Sequence, residues 1–151
     1  MSSNKQNEKF CYDRKGKQMK ALKANITKGL QKGSLVQTCD NSGAKIVRII
    51  TFKTYKSVKG RNLCGGVGAL INASVIKGNP EMRKKIVPAI IVRQKKEYRR
   101  TNGTRIKFED NAVVVLKDEK GNPKGTLIKG PVAKEVIERW SPLSKLAKIV
   151  V

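Results

Sequence analysis

Short apolar runs separated by turn residues begin near Ser34 and continue through most of the chain. The first two runs are Leu35–Val36 and Ile46–Phe52, and the residues between them, Asp40–Gly43, are typical of a tight turn. This pattern predicts a β-hairpin. Further apolar runs follow at Ala69–Ile76, Ala89–Val92 and Asn111–Leu116. Several short strands at this spacing predict a mainly β fold in the form of a small barrel.

Two of these runs, Ala89–Val92 and Ala112–Leu116, are apolar at every position rather than at alternate positions. A strand of this kind has both of its faces covered, because successive side chains point to opposite sides of the sheet. Another layer must therefore pack outside the barrel.

The C-terminal part of the chain can supply that layer. Val132, Val136, Ile137 and Trp140 recur at helical spacing, and Pro131 suits the first turn of a helix. A second short helix is expected from Ser141, as its cap, and Pro142. We therefore expect short C-terminal α-helices packed outside the barrel, with Trp140 in their apolar face.

The first 25 residues have a different character. They are polar and Lys-rich, their only acids are Glu8 and Asp13, and no apolar periodicity is sustained. This composition predicts a flexible basic tail over residues 1–25. The remaining residues, 26–151, are expected to form one domain, since a chain of 151 residues with 38% hydrophobic content can fill a single core.

The charge of the chain indicates its partner. It carries 34 Lys and Arg against 11 Asp and Glu, an excess whose self-repulsion a polyanion such as a nucleic acid would neutralise. Residues 41–80 contain no acid, and Glu97 is the one acid among ten basic residues in 83–107. The predicted RNA-binding residues are Lys45, Lys53, Lys56, Lys59, Arg61, Arg83, Lys84, Lys85, Arg93, Lys95, Lys96, Tyr98, Arg99, Arg100 and Lys107.

These segments are expected to clamp the RNA backbone by charge and shape, with sequence readout secondary. Arg can contact phosphate with two hydrogen bonds or stack on a base, whereas Lys supplies a point charge. Tyr98 has two interpretations: it stacks on an unpaired base, or it is a partly buried anchor in a strand. The nearly neutral residues 109–138 should face protein or solvent instead.

Catalysis is not expected, because the chain has no His, the commonest general base and metal ligand. Cys11, Cys39 and Cys64 are widely spaced and fit neither a zinc finger nor a disulfide framework; Cys39 and Cys64 suit a core better. No cofactor or metal is expected. The polar start of the chain and the lack of a long apolar stretch predict a cytoplasmic protein with no membrane partner.

Several motifs occur in the order found in a known family. They are Asp40–Lys45, Arg83–Lys85 before Pro88–Ala89, Arg93–Lys96 with Tyr98–Arg100, Asn102–Gly103, Phe108–Asn111 with Val114–Val115, and Gly130–Glu135. From about Gly29 to its end the chain resembles the universal family of large-subunit ribosomal protein fourteen, number twenty-three in eukaryotic naming. Its Arg-Lys-Lys and Arg-Gln-Lys-Lys blocks are similar to the archaeal and eukaryotic branch.

The resemblance implies a five-stranded barrel with C-terminal helices, bound to large-subunit ribosomal RNA at the face that meets the small subunit. It also implies bridges to small-subunit RNA, contacts with neighbouring ribosomal proteins, and part of the docking surface for an anti-association factor. The nearly neutral C-terminal part is the expected place for protein contacts, and the residues predicted for them are Pro131, Lys134, Glu135, Glu138 and Arg139.

Two other classes of function stay open at this point. The runner-up is a barrel-fold RNA-handling or translation factor that binds and leaves. An enzyme is a distant third, since Asp40, Glu109, Asp110 and the cysteines could in principle bind a metal. Adjacent acids such as Glu109 and Asp110 would point to opposite faces of a strand, so local hydrogen bonding or charge pairing is the preferred interpretation of these residues.

Overall fold

A computed structural model describes residues 10–12, 18–55, 57 and 59–151 of the chain. The elements, in chain order, are β1 (Phe10–Tyr12), β2 (Gln18–Lys20), β3 (Leu30–Gln31), β4 (Leu35–Thr38), β5 (Ala44–Phe52), β6 (Cys64–Gly65), β7 (Leu70–Gly78), β8 (Ile86–Arg93), β9 (Tyr98–Arg99), β10 (Arg105–Ile106), β11 (Ala112–Val115), β12 (Pro131–Val132), α1 (Lys134–Arg139), α2 (Ser141–Ser144) and β13 (Ile149–Val150).

Five of these strands close into a barrel in the order β11, β4, β5, β7, β8. Neighbouring strands are antiparallel except β11 and β4, which run parallel. Each of the five predicted apolar runs contains or overlaps one barrel strand, and β4 and β5 form the expected hairpin. The five-stranded, mainly β fold with short C-terminal helices is therefore confirmed.

The two continuous apolar strands, β8 and β11, are covered on both faces. Ala89 and Ile91 of β8 lie in the core inside the barrel, whereas Ile90 and Val92 belong to a second core outside it. The outer core includes Val136 of α1 and Leu143 of α2. Burying one such aliphatic side chain contributes about 1.5–3 kcal/mol, so the helices stabilise the barrel wall that they cover.

The start of the first helix differs from the prediction. The sequence predicts a helix directly after Pro131, but Pro131 and Val132 form β12, which pairs in parallel with β13, and α1 begins at Lys134. The backbone of this segment is extended because its polar groups have distant partners: the Val132 carbonyl accepts from Val151 N–H, and Ala133 N–H donates to the Val92 carbonyl.

The second helix is found where it was expected, with one correction. Ser141 is its first residue rather than its cap, and Trp140 occupies the cap position without a side-chain capping bond. The indole Nε1 of Trp140 donates instead to the Gly68 carbonyl at 3.0 Å, and the ring is buried in the outer core. This bond fixes the break between the helices and confirms Trp140 as a core residue.

Within residues 1–25, the antiparallel pair β1 and β2 is described. Residues 1–9 and 13–17 lie outside the described part of the chain, so the division into a tail and a domain at residue 25 stays a prediction. Among the residues that the structure covers, no helix has the length and apolar character needed to cross a membrane.

Candidate nucleic-acid interface

Most of the predicted RNA-binding residues lie on the surface. Ten of them are exposed, and no hydrogen bond or ion pair joins their side chains to another described residue. These ten are Lys45, Lys59, Arg61, Arg83, Lys84, Lys85, Lys95, Lys96, Arg99 and Lys107. Cations that form no ion pair or hydrogen bond with the described residues are free to pair with a partner's anions, which suits contact with phosphate.

One group of exposed cations surrounds the start of β5. The loop between β7 and β8 carries Arg83, Lys84 and Lys85, and it lies beside Lys45 because Asn79 N–H donates to the Gly43 carbonyl at 2.8 Å. Lys84 has a φ of 64°, in the left-handed region, where its N–H donates to the Val75 carbonyl. We call Lys45, Arg83, Lys84 and Lys85 the loop cluster.

A second group lies beyond the other end of β8. Lys96 follows that strand, Arg99 lies in β9, and the backbone of Arg99 forms a bridge with Asn25. Two further exposed cations, Lys59 and Arg61, precede β6, which pairs with β3. β8 runs from the loop cluster to this second group, and its eight residues place the two groups roughly 25 Å apart at about 3.3 Å per residue.

The second group is organised by Gln94, a residue to which sequence reasoning gave no role. Its side chain is fully buried. The amide Nε2 donates to the carbonyls of Thr27 and Lys96 at 3.1 and 2.8 Å, and Oε1 accepts from Val67 N–H at 3.1 Å. Gln94 thereby joins three chain segments. In the sequence, the one signal for this role was the position of Gln94 directly after β8, a strand that is buried on both faces.

Arg93 is placed inside the protein rather than at its surface. It is 7% exposed, and its guanidinium donates to both oxygens of Asp110 at 2.7 and 2.9 Å and to the carbonyls of Lys129 and Pro131. The hydrogen bonds from Arg93 lower the pKa of Asp110. Four hydrogen bonds within the chain use most of the five guanidinium donors, so Arg93 holds the segment before α1 rather than a ligand.

Tyr98 and Arg100 converge on one buried carboxylate, Glu135. The Tyr98 hydroxyl donates to Glu135 Oε2 at 2.8 Å, and Arg100 Nε donates to Oε1 at 2.6 Å. Arg100 Nη2 also donates to the Val151 carbonyl at 2.5 Å. Burial, reinforced by the Glu135 hydrogen bond, raises the pKa of Tyr98. Of the two interpretations of Tyr98, the structure supports the buried anchor. The residue is 1% exposed, and its ring has no face open for base stacking.

The other predicted residues have mixed surroundings. Lys53 forms an ion pair with Glu119, and Lys56 lies outside the described residues. Of the residues predicted for protein contact, Lys134 and Glu138 are exposed and form an ion pair at 3.8 Å. Pro131 is partly buried, Arg139 packs near the Trp140 ring, and Glu135 is buried.

The residues that could have suggested a metal site have local structural roles. Asp40 is buried and accepts from Val115 N–H at 2.9 Å and from the Ser42 hydroxyl at 2.8 Å; burial raises its pKa. Burial also raises the pKa of the Cys39 thiol to about 12. In the described ranges, no three Cys, Asp or Glu side chains come together as a ligand set.

Comparison with known proteins gives one consistent result. A family model described as ribosomal protein L14p/L23e matches residues 29–151. Proteins called large ribosomal subunit protein uL14 are 54% identical in Methanococcus maripaludis, over 87% of this chain and 99% of that protein, and 52% identical in Nanoarchaeum equitans, over 88% and 100%. The protein of the same name in Halorubrum lacusprofundi is 48% identical, over 88% and 100%.

Proposed function

This chain belongs to the ribosomal protein L14p/L23e family, and we propose that it binds large-subunit ribosomal RNA at the face that meets the small subunit. Membership of the family makes it a non-enzymatic, structural constituent of the large ribosomal subunit, acting in translation in the cytoplasm. The proposal concerns how the chain is held there and what it contacts.

The observation that carries the RNA-binding proposal is the set of ten exposed cations whose side chains have no hydrogen-bond or ion-pair partner among the described residues. The two most buried ion pairs among the described residues involve other cations, Arg93 with Asp110 and Arg100 with Glu135. The unpaired cations are therefore available to replace the counterions of a polyanion, which is the main source of affinity in such complexes.

The arrangement of the cations favours recognition of RNA shape. The loop cluster and the group around Lys96 and Arg99 lie roughly 25 Å apart along β8. A rigid barrel with cations at both ends can contact two separate stretches of RNA backbone, and contacts of this kind fix position without reading sequence. We therefore propose an architectural role rather than a sequence-reading one.

The C-terminal part is proposed to make the protein contacts. Lys134 and Glu138 present charges of both signs on the exposed side of α1, and residues 109–138 are nearly neutral. Such a surface suits neighbouring ribosomal proteins and the docking of an anti-association factor. We also propose that the cations not covered by large-subunit RNA form the bridges to small-subunit RNA.

The test reverses charge in the loop cluster. In a strain whose only copy carries K84E and K85E, we expect this chain to be depleted from purified large subunits after a moderate-salt wash, because at least two phosphate contacts are lost. Occupancy is measured by quantitative mass spectrometry of sedimented subunits. The matched control, K117E with K120E, reverses two exposed lysines of the nearly neutral region. Equal occupancy of both variants and the natural chain contradicts the proposal.

A further inference from the structure

A groove lies between residues 23–27 and the hairpin formed by β9 and β10. Its volume is about 520 Å³, within the roughly 300–1,000 Å³ typical of small-ligand pockets. The residues that matter for its chemistry are Lys23, Asn25, Thr27, Lys96, Arg99 and Arg105. The family match begins at residue 29, so one wall of the groove is built by residues that precede the matched region.

The groove is positively charged and incompletely neutralised from within. Arg105 forms an ion pair with Glu97 at 3.1 Å. The side chains of Lys23, Lys96 and Arg99 are exposed, and no bond joins them to any residue that the structure describes. Three unpaired cations around one concave surface repel one another, and an anion placed among them relieves that repulsion.

The wall formed by residues 23–27 is held in place by contacts with three other parts of the chain. Gln94 donates to the Thr27 carbonyl, and the Asn25 backbone bridges to that of Arg99. Gly66 allows the close approach, since a Cβ at that position would lie 2.7 Å from both the Thr27 carbonyl and Ile26 Cγ2. Residues 23–27 are therefore fixed against the rest of the domain, and the groove is formed by the fold itself.

We propose that this groove binds one unpaired nucleotide of the ribosomal RNA, with its phosphate among Lys23, Lys96 and Arg99. The inference rests on the proposed function and names a ligand for one part of the interface. The side chains of Asn25 and Thr27 form no hydrogen bond with the described residues, so their amide and hydroxyl groups can bond to the ribose or to a base edge. Proteins read unpaired bases in this way, because side chains cannot reach the base edges in the deep, narrow major groove of A-form RNA.

The first experiment separates the groove from the loop cluster. K23E with R99E is expected to lower retention of the chain on large subunits by about tenfold at moderate salt, as for a lost charged hydrogen bond. The slope of the logarithm of retention against the logarithm of salt concentration should also become less steep, by about 0.7 for each phosphate contact removed. K23R with R99K keeps both charges and should retain most of the binding.

The second experiment probes the RNA itself. In large subunits carrying K23Q, acylation of ribose 2′-hydroxyls is compared with that in subunits carrying the natural chain. We expect one unpaired nucleotide to become more reactive in the variant, and the same nucleotide to be unchanged in subunits carrying K117Q. The milder substitution keeps the chain in the particle, and circular dichroism of each purified variant confirms that it is folded.

The possible results separate the two proposals. If K84E with K85E weakens retention while K23E with R99E does not, the groove proposal is wrong and RNA binding stands. If neither pair weakens retention, both proposals fail. Loss of retention on charge reversal without a change at any single nucleotide also overturns the groove as a nucleotide site, because it indicates general attraction only.

Discussion

Arg93 and Arg99 are the same residue type in neighbouring parts of the chain, yet they have opposite roles. Arg93 is buried and shares its donors among a carboxylate and two carbonyls, whereas the Arg99 side chain is exposed and unpaired in the described structure. Burying a guanidinium is costly unless its donors are satisfied. The internal partners of Arg93 therefore define it as a structural residue.

The Arg93–Asp110 pair makes a prediction about stability and pH. D110N should lower the free energy of unfolding at pH 7 by about 1–2 kcal/mol, the low end for charged hydrogen bonds because the Asp110 side chain is 36% exposed. The pKa of Asp110 is lowered on folding, so its stabilisation is present above the unfolded value of about 3.9 and is lost as pH falls through the folded value. The difference between D110N and the natural chain should therefore shrink in acid.

The measurement is urea unfolding at a series of pH values from neutral to acid. E109Q is the matched control, because the neighbouring Glu109 is exposed and forms no hydrogen bond or ion pair within the described residues. The role assigned to Asp110 is wrong if D110N and E109Q unfold alike at pH 7.

At the scale of elements, the β9–β10 hairpin depends on a helix that is distant in sequence. Tyr98 and Arg100 are both bonded to Glu135 of α1, and Arg100 also reaches the Val151 carbonyl beside β13. The hairpin forms one wall of the groove. The position of a proposed RNA-binding element is thus set by the C-terminal part of the chain.

Glu135→Gln should weaken the contact between the β9–β10 hairpin and α1 without leaving a cavity between them. The amide keeps the shape and can accept from Tyr98, but it loses the charge that Arg100 pairs with. We expect amide hydrogens in residues 98–106 and 149–151 to exchange about tenfold faster, as for a loss of about 1.4 kcal/mol. Exchange in β5 and β7 should not change.

Hydrogen exchange followed by mass spectrometry checks this prediction. Glu138→Gln serves as the control, because Glu138 lies on the same helix but forms only an exposed pair with Lys134, which contributes little. Unchanged protection of residues 98–106 in the Glu135 variant would show that α1 does not position the hairpin.

At the scale of the whole molecule, positive charge is divided between binding and folding. The ten unpaired cations lie on the surface. Arg93 ties the barrel to the segment before α1, and Arg100 ties the β9–β10 hairpin to the C-terminal part of the chain. The sequence alone predicts the same effect for Arg99 and Arg100, namely weaker incorporation into large subunits without unfolding. The structure gives the two residues different surroundings: Arg99 is exposed and unpaired among the described residues, whereas Arg100 forms an ion pair with Glu135.

We expect R99A to lower subunit occupancy after a salt wash while leaving the melting temperature unchanged. R100A should lower the stability by about 2 kcal/mol, because it leaves the buried carboxylate of Glu135 without its cation. For a chain of this size that is a fall in melting temperature of about 4–8 °C. Differential scanning calorimetry and subunit occupancy, measured on both variants, decide whether the two arginines act differently.

From the sequence one can predict the five barrel strands, the covering of β8 and β11 on both faces, and the family. These follow from local features: apolar periodicity, turn residues, and motifs in a fixed order. The sequence also located the densest positive charge, between residues 83 and 107. It misplaced the start of α1, because a local helical spacing could not reveal that Pro131–Val132 pairs with Ile149–Val150.

Which of the charged and aromatic residues are free to face a partner depends on the packing of the folded chain. Arg93, Tyr98 and Arg100 look like their exposed neighbours in sequence, but their partners are up to 51 residues away, and pairing at that range depends on how the strands and helices pack. The division of the cations into two groups, and the groove beside Arg99, have the same origin. Composition sets the amount of charge, and packing sets where it can act.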